Sequence, residues 1–229
     1  MVKFDEFMEE VQQDMRHAKI EKYWKKYGKQ AIVVCSVVLG AAVLNTLYEN
    51  RQDQLSIMAS DKFITAQNAL IQGKYNDALV IFEDLSKTAP KTYQVLSLFS
   101  KVGTLLKQET KETTQKAIET LKEIEASSNV DKDLKVLAKL IRYGQEIGIL
   151  EKGSSELEAL RLSVDGIIKD NTVWSYLAKE LKGLILYKVG AEKEAAEMFI
   201  SLVQDTKTPE AIRLRSQLMA QVLSSKIAR

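Results

Sequence analysis

Covalent catalysis needs a nucleophile with a base beside it, and the residues that could supply one are few and far apart. His17 is the only histidine and Cys35 the only cysteine in 229 residues. Ser97, Ser100 and Ser163 are possible nucleophiles, but any Ser–His arrangement would have to draw on His17, distant in sequence and, as argued below, expected on the other side of a membrane. A lone cysteine makes no intramolecular disulfide, and one histidine makes a metal site only with scattered carboxylates. No Gly-rich phosphate loop, G-x-S-x-G elbow, H-E-x-x-H pair or paired-cysteine motif occurs. The carboxylates are mixed with lysines, as in Glu119, Lys122, Glu123 and Glu125, which is the pattern of solvated helix faces. The expectation is a protein with no catalytic residue, no metal and no cofactor.

The elements that carry these residues follow from composition. Two prolines and ten glycines leave little turn chemistry, and the abundance of Leu, Ala, Lys, Glu and Gln predicts an almost all-α chain. The net charge of +2 excludes the broad basic surface on which nucleic-acid affinity rests, and nothing points to a small-molecule substrate.

One stretch stands apart. From Ala31 to Tyr48 there are 18 residues without a charged side chain, which as a helix reach roughly 27 Å, just under the ~30 Å of a hydrocarbon core. Trp24, Lys25, Lys26 and Lys29 precede the run and Tyr48 ends it, the aromatic and long cationic residues that collect at membrane interfaces. Residues 16–30 carry Arg16, Lys19, Lys22, Lys25, Lys26 and Lys29 against Glu21 alone, so the positive-inside rule puts the N-terminus in the cytoplasm. A cleavable signal peptide, a lipoprotein cysteine and a buried core helix are competing readings. About 30 residues before the run, the weak Gly40-Ala41-Ala42 cleavage site and the bulky Ile32-Val33-Val34 before Cys35 argue against the first two. The boundaries expected are a cytoplasmic stub over 1–30, a transmembrane anchor over 31–48 and a helical domain over 49–229 on the far side. In the stub, Phe4, Met8, Val11, Met15 and Ala18 recur at helical spacing, either as a partner-binding amphipathic helix or as a loose tail.

Beyond residue 50 the pattern predicts helices of roughly 12 to 20 residues, broken at 72–74, 88–90, 108–110, 127–129, 152–154, 169–171, 189–190 and 206–209. "ALIQGKYNDALVIFEDLSKTAP" pairs Ala78 with Phe82 and ends at Pro90, and it resembles a tetratricopeptide repeat. A small Ala lets two helices approach, Phe fills the groove and Pro stops the second helix. Weaker copies are read at Ala117 with Leu121, Ala159 with Ser163, and Ala195 with Phe199, Gly183 standing twelve residues before Ala195 as the small residue of the preceding helix. Spacings of 39, 42 and 36 make the array degenerate, with the third copy poorest. From Pro209 the tail reads as an amphipathic capping helix with Ile212, Leu214, Leu218 and Val222 apolar. Trp174, with Tyr176 and Leu177, and the residues Met198, Met219 and Phe199 are expected in the core, while Arg142 and Tyr143 are candidates for an open groove.

The order of parts resembles the YfgM-like family of tetratricopeptide-type ancillary subunits of the SecYEG translocon. The resemblance is carried by "KIEKYWKKYGKQ" before the apolar run, "ELKGLILYKVGAEKEAAEMF", and the closing "PEAIRLRSQLMAQVL". It implies a bacterial inner-membrane protein whose periplasmic domain works beside SecYEG and periplasmic chaperones on exported proteins. An envelope scaffold for division or cell-wall assembly is the alternative, and a soluble helical enzyme or regulator is a third reading.

Overall fold

The computed structural model describes residues 51–227. The chain divides into two units, Met1–Ile57 and Met58–Arg229. Of the first only 51–57 are described, and they are helical. The second unit is built from α1 (58–71), α2 (Tyr75–Thr88), α3 (Lys91–Leu106), α4 (Lys111–Ala126), α5 (Lys132–Ile149), α6 (Ser155–Lys169), α7 (Ser175–Val189), α8 (Glu192–Gln204) and α9 (Glu210–Ile227), with no strand among the described residues.

Local chemistry places the breaks. After α1, Gly73 takes φ +75° and Lys74 N–H donates to the Ala69 carbonyl at 2.9 Å. After α7, Gly190 takes φ +94°, and the amides of Gly190 and Ala191 donate to the carbonyls of Tyr187 and Leu186. A side chain would strain both turns, which is why glycine stands there. Thr110 caps α4 through a reciprocal bond with Thr113. Pro90 and Pro209 each open a helix, where a missing N–H costs nothing, and Pro90 also keeps Ala89 extended so that α2 stops.

Each helix packs mainly on its sequence neighbour, α1 on α2, α2 on α3, α3 on α4, α4 on α5, α6 on α7, α7 on α8 and α8 on α9, and only α5 and α6, the expected third repeat pair, meet weakly. Ala66, Ala78 and Phe82 are wholly buried in one cluster, where the Phe63 and Phe82 rings lie 5.4 Å apart. A second cluster joins α3, α4 and α5 through Leu105, Ala117, Leu121 and Ala138. A third joins α5, α6 and α7, and a fourth joins α7, α8 and α9 around Phe199. Trp174 packs on the third, its indole N–H donating to the Asp133 carbonyl at 2.8 Å, and Tyr176, Leu177, Met198 and Met219 pack on the fourth. The close approach read from small residues is tightest at Gly183, where an added Cβ would stand 2.7 Å from Cζ of Phe199. Ala195, four residues before Phe199, is wholly buried.

The third pair differs from the sequence pattern. Ala159 and Ser163 lie on the exposed side of α6, and Leu160 and Val164, one position on, face the core. The reason is geometric: α5 and α6 meet over only a short stretch, and α6 lies instead along α7. No close α5–α6 crossing exists that would demand a small residue, so large aliphatic side chains fill the space. The α9 pattern also differs, because Ile212, Ser216 and Leu223 turn inward while Leu214, Leu218 and Val222 are exposed.

Ion pairs tie neighbouring helices, Lys62 to Asp84, Arg142 to Glu125 and Lys182 to Asp165, and one, Arg215 to Glu180, skips from α9 to α7. Glu180 is buried on α7 and accepts two bonds from the Arg215 guanidinium, at 2.6 and 2.8 Å, a fork geometry that fixes α9 in rotation.

Gly183→Ala is expected to lower the urea-unfolding free energy by about 1–3 kcal/mol through overpacking on Phe199. Ala159→Val, on an exposed face, is expected to change it by less than about 0.5 kcal/mol. Equal midpoints for both variants would mean that the ring has room to move and that Gly183 marks no tight crossing.

Candidate protein-binding cleft

Residues expected to orient a membrane anchor, Trp24, Lys25, Lys26, Lys29 and Tyr48, lie outside the described residues, as do His17 and Cys35. Among the described residues no helix is long and apolar enough to cross a membrane. The serines are placed by structure and not by chemistry: Ser97 is wholly buried, and the Ser163 hydroxyl donates to the Ala159 carbonyl at 3.1 Å. Among the described residues no cluster of three or more His, Cys, Asp or Glu forms a metal-binding group.

Arg142 and Tyr143 do not open onto a groove. The Tyr143 side chain is buried, and the Arg142 guanidinium lies 4.7 Å from its ring centroid while binding Glu125 and Glu146. The bond that Arg142 donates to the Glu125 carboxylate is the main reason the Arg142 pKa is raised above its ordinary value, so the group is a fixed cation that ties α4 to α5.

An open apolar site lies between α3 and α5. Their backbones do not pack on each other, because each packs against α4, and the gap leaves a cleft of about 430 Å³. Val95, Leu96, Phe99 and Leu134 make its apolar lining, and Lys91 and Asp131, both exposed, give it one charge of each sign. Leu96 is 43% exposed although it sits in the middle of this lining, so the cleft holds apolar surface in contact with water. Such a site takes an apolar side chain from another polypeptide, with a cation and a carboxylate available to that chain's polar groups. Sequence reasoning missed it, since Leu96 and Phe99 look like any other core residues of a helical repeat.

A second hollow, across α2, α3 and α4, has a different character. Its Glu83 carboxylate binds Lys101 and Lys87 at 2.5 Å each, and Lys116 and Glu119 add further charge. Leu79, Val80 and Leu105 complete its lining. Lys101 first, then Lys87, hold the Glu83 carboxyl below the ordinary glutamate value. A carboxyl lowered in this way adds stability that is full above about pH 4.3 and is lost as pH falls through the lowered value. The melting temperature of the protein is therefore expected to drop between pH 5 and pH 3, and to drop less in Glu83→Gln. Parallel curves for the two proteins would show that the Lys101 contact contributes nothing to folding.

No curated protein and no solved structure matches the sequence. A family described as a tetratricopeptide repeat-like domain matches residues 21–221, a span that takes in every helix pair described above. The alternating pairs, the buried Ala78 and Phe82, the Gly183–Phe199 crossing and this match together lead to one assignment: the chain belongs to the tetratricopeptide repeat-like domain family.

Proposed function

We propose that this protein is a single-pass, membrane-anchored interaction module of the bacterial inner membrane, an ancillary subunit of the SecYEG translocon that links exported proteins to periplasmic chaperones. Tetratricopeptide repeat-like domains are protein-interaction modules, and that coarser function rests on the family assignment itself. One observation supports the finer reading most: the family match begins at residue 21, ahead of the uncharged run 31–48, and continues to residue 221. The run thus falls inside the same matched span as the helices, which favours a retained anchor over a leader that is cut away.

In this reading the basic residues Lys25, Lys26 and Lys29 hold the N-terminus in the cytoplasm, and the helix pairs stand in the periplasm. Anchoring confines the α3–α5 cleft near its partner and raises the effective concentration without any new contact. The apolar lining around Leu96 suits the exposed apolar side chains of a polypeptide that has not yet folded, and the mixed charges of Lys91 and Asp131 favour no strongly charged sequence.

The test has two arms. Protease added to intact spheroplasts is expected to remove a C-terminal tag while leaving the stub protected; a fully protected tag would put the helix pairs in the cytoplasm and end the export reading. A photocrosslinker at Leu96 in the same cells is expected to capture translocon subunits or exported chains. Leu96→Asp, tested by copurification, is expected to weaken that capture about tenfold or more, the loss of one buried leucine. Capture of septal proteins in place of translocon subunits would favour an envelope scaffold.

A further inference from the structure

The end of the helix stack carries a feature that neither the repeats nor the cleft account for. A terminal repeat in a stacked array ordinarily presents a polar outer face to water. On α9 the outward line of residues four apart is Glu210, Leu214, Leu218, Val222 and Lys226, all exposed. Leu214 is 59% exposed, Leu218 58% and Val222 56%, three apolar side chains in one row. Gln217 and Gln221 flank the row without charge, and the exposed Arg215 is already bound to Glu180. Toward the protein, Ile212, Ser216 and Leu223 are buried against the preceding helices, so the apolar content of α9 is split between two faces.

We propose that this outer ridge of α9 pairs with the same ridge of a second copy of the chain, in an antiparallel, two-fold arrangement. The order of residues singles out this occupant. Reversing the ridge end for end maps Glu210 onto Lys226, Leu214 onto Val222 and Leu218 onto itself. Antiparallel pairing therefore sets acid toward base at both ends, apolar against apolar between them, and Leu218 on the axis. Parallel pairing would set Glu210 toward Glu210 and Lys226 toward Lys226. Rows of residues four apart interdigitate readily between two helices, and antiparallel helices also oppose their dipoles favourably. Within its own chain Lys226 contacts Glu192 and lies 5.3 Å from the Tyr187 ring centroid. The Lys226 side chain stays 47% exposed beside that contact, so its ammonium is shared between Glu192 and the second copy's Glu210.

The contact is small. Three side chains fall well short of the ~800 Å² per partner of a stable interface, so pairing is weak at high dilution and favoured where copies are concentrated.

Cysteine crosslinking in membranes from cells expressing the full chain, with Cys35→Ser as background, tests the proposal. Leu218→Cys is expected to give a disulfide-linked homodimer at several times the yield of Val173→Cys, a control at an apolar residue that is 75% exposed. Coexpressed Glu210→Cys and Lys226→Cys chains are expected to crosslink to each other several-fold better than either does to itself. Adding Glu210→Lys to Leu218→Cys is expected to cut the homodimer yield several-fold, and adding Lys226→Glu as well to restore it. The proposal is overturned if Leu218→Cys gives no more homodimer than Val173→Cys or crosslinks to another protein, or if the Glu210 and Lys226 cysteines each prefer their own kind.

Discussion

Two helices, α5 and α7, are each shared by two hydrophobic clusters, and the rest of the stack depends on that sharing. Ala138 of α5 packs with α3 and α4, while Leu140, Tyr143 and Ile147 of the same helix pack with α6 and α7. On α7, Ala178, Leu181 and Ile185 serve one cluster and Leu186 the next. A helix pair with one apolar face cannot bury that face alone, so each pair is stable only through its neighbour. The consequence is visible in α7, where no side chain between Trp174 and Val189 is fully exposed. The charged groups follow the same plan: Arg142 on α5 and Glu180 on α7 are satisfied across helix boundaries, which makes each boundary a place where orientation as well as contact is set.

The cleft is the counterpart of this arrangement. Where α4 holds α3 and α5 apart, apolar residues that would otherwise meet are left facing a gap. The same packing that stabilises the array thus creates a place for a foreign side chain, and no separate binding loop is required. The hollow across α2 to α4 differs in that Lys101 and Lys87 bind Glu83 at the edge of an apolar lining that holds Leu79, Val80 and Leu105.

Legibility in the sequence followed the range of the interaction. Turns at Gly73, Pro90, Gly190 and Pro209 depend on the backbone preferences of one or two residues, and they could be read directly. Ala78 with Phe82, Ala195 with Phe199, and Gly183 as the small residue of the preceding helix were read because a tight crossing restricts residue size, while the approach of Gly183 to Phe199 itself came only with the structure. The third pair was not legible in the same way. Ala159 looks like a crossing residue, yet α6 lies along α7 and uses Leu160 and Val164, a choice set by the distance between helices and not by α6 itself. On α9 two apolar stripes compete, and only the position of α8 decides that Ile212 and Leu223 turn inward while Leu218 does not. The cleft was hidden for a related reason: Leu96 and Leu134 are ordinary leucines until the spacing of their helices is known.

The short reach of the contacts has a consequence for how the chain acquires its shape. Contacts run between neighbouring helices, and the ties that skip a helix, such as Trp174 to Asp133 and Arg215 to Glu180, span 41 and 35 residues. The entropy cost of closing a loop grows only slowly with its length, and chains of low contact order fold quickly. The stack can therefore be assembled pair by pair while its later residues are still being synthesised or delivered, each completed pair offering the next a surface on which to nucleate.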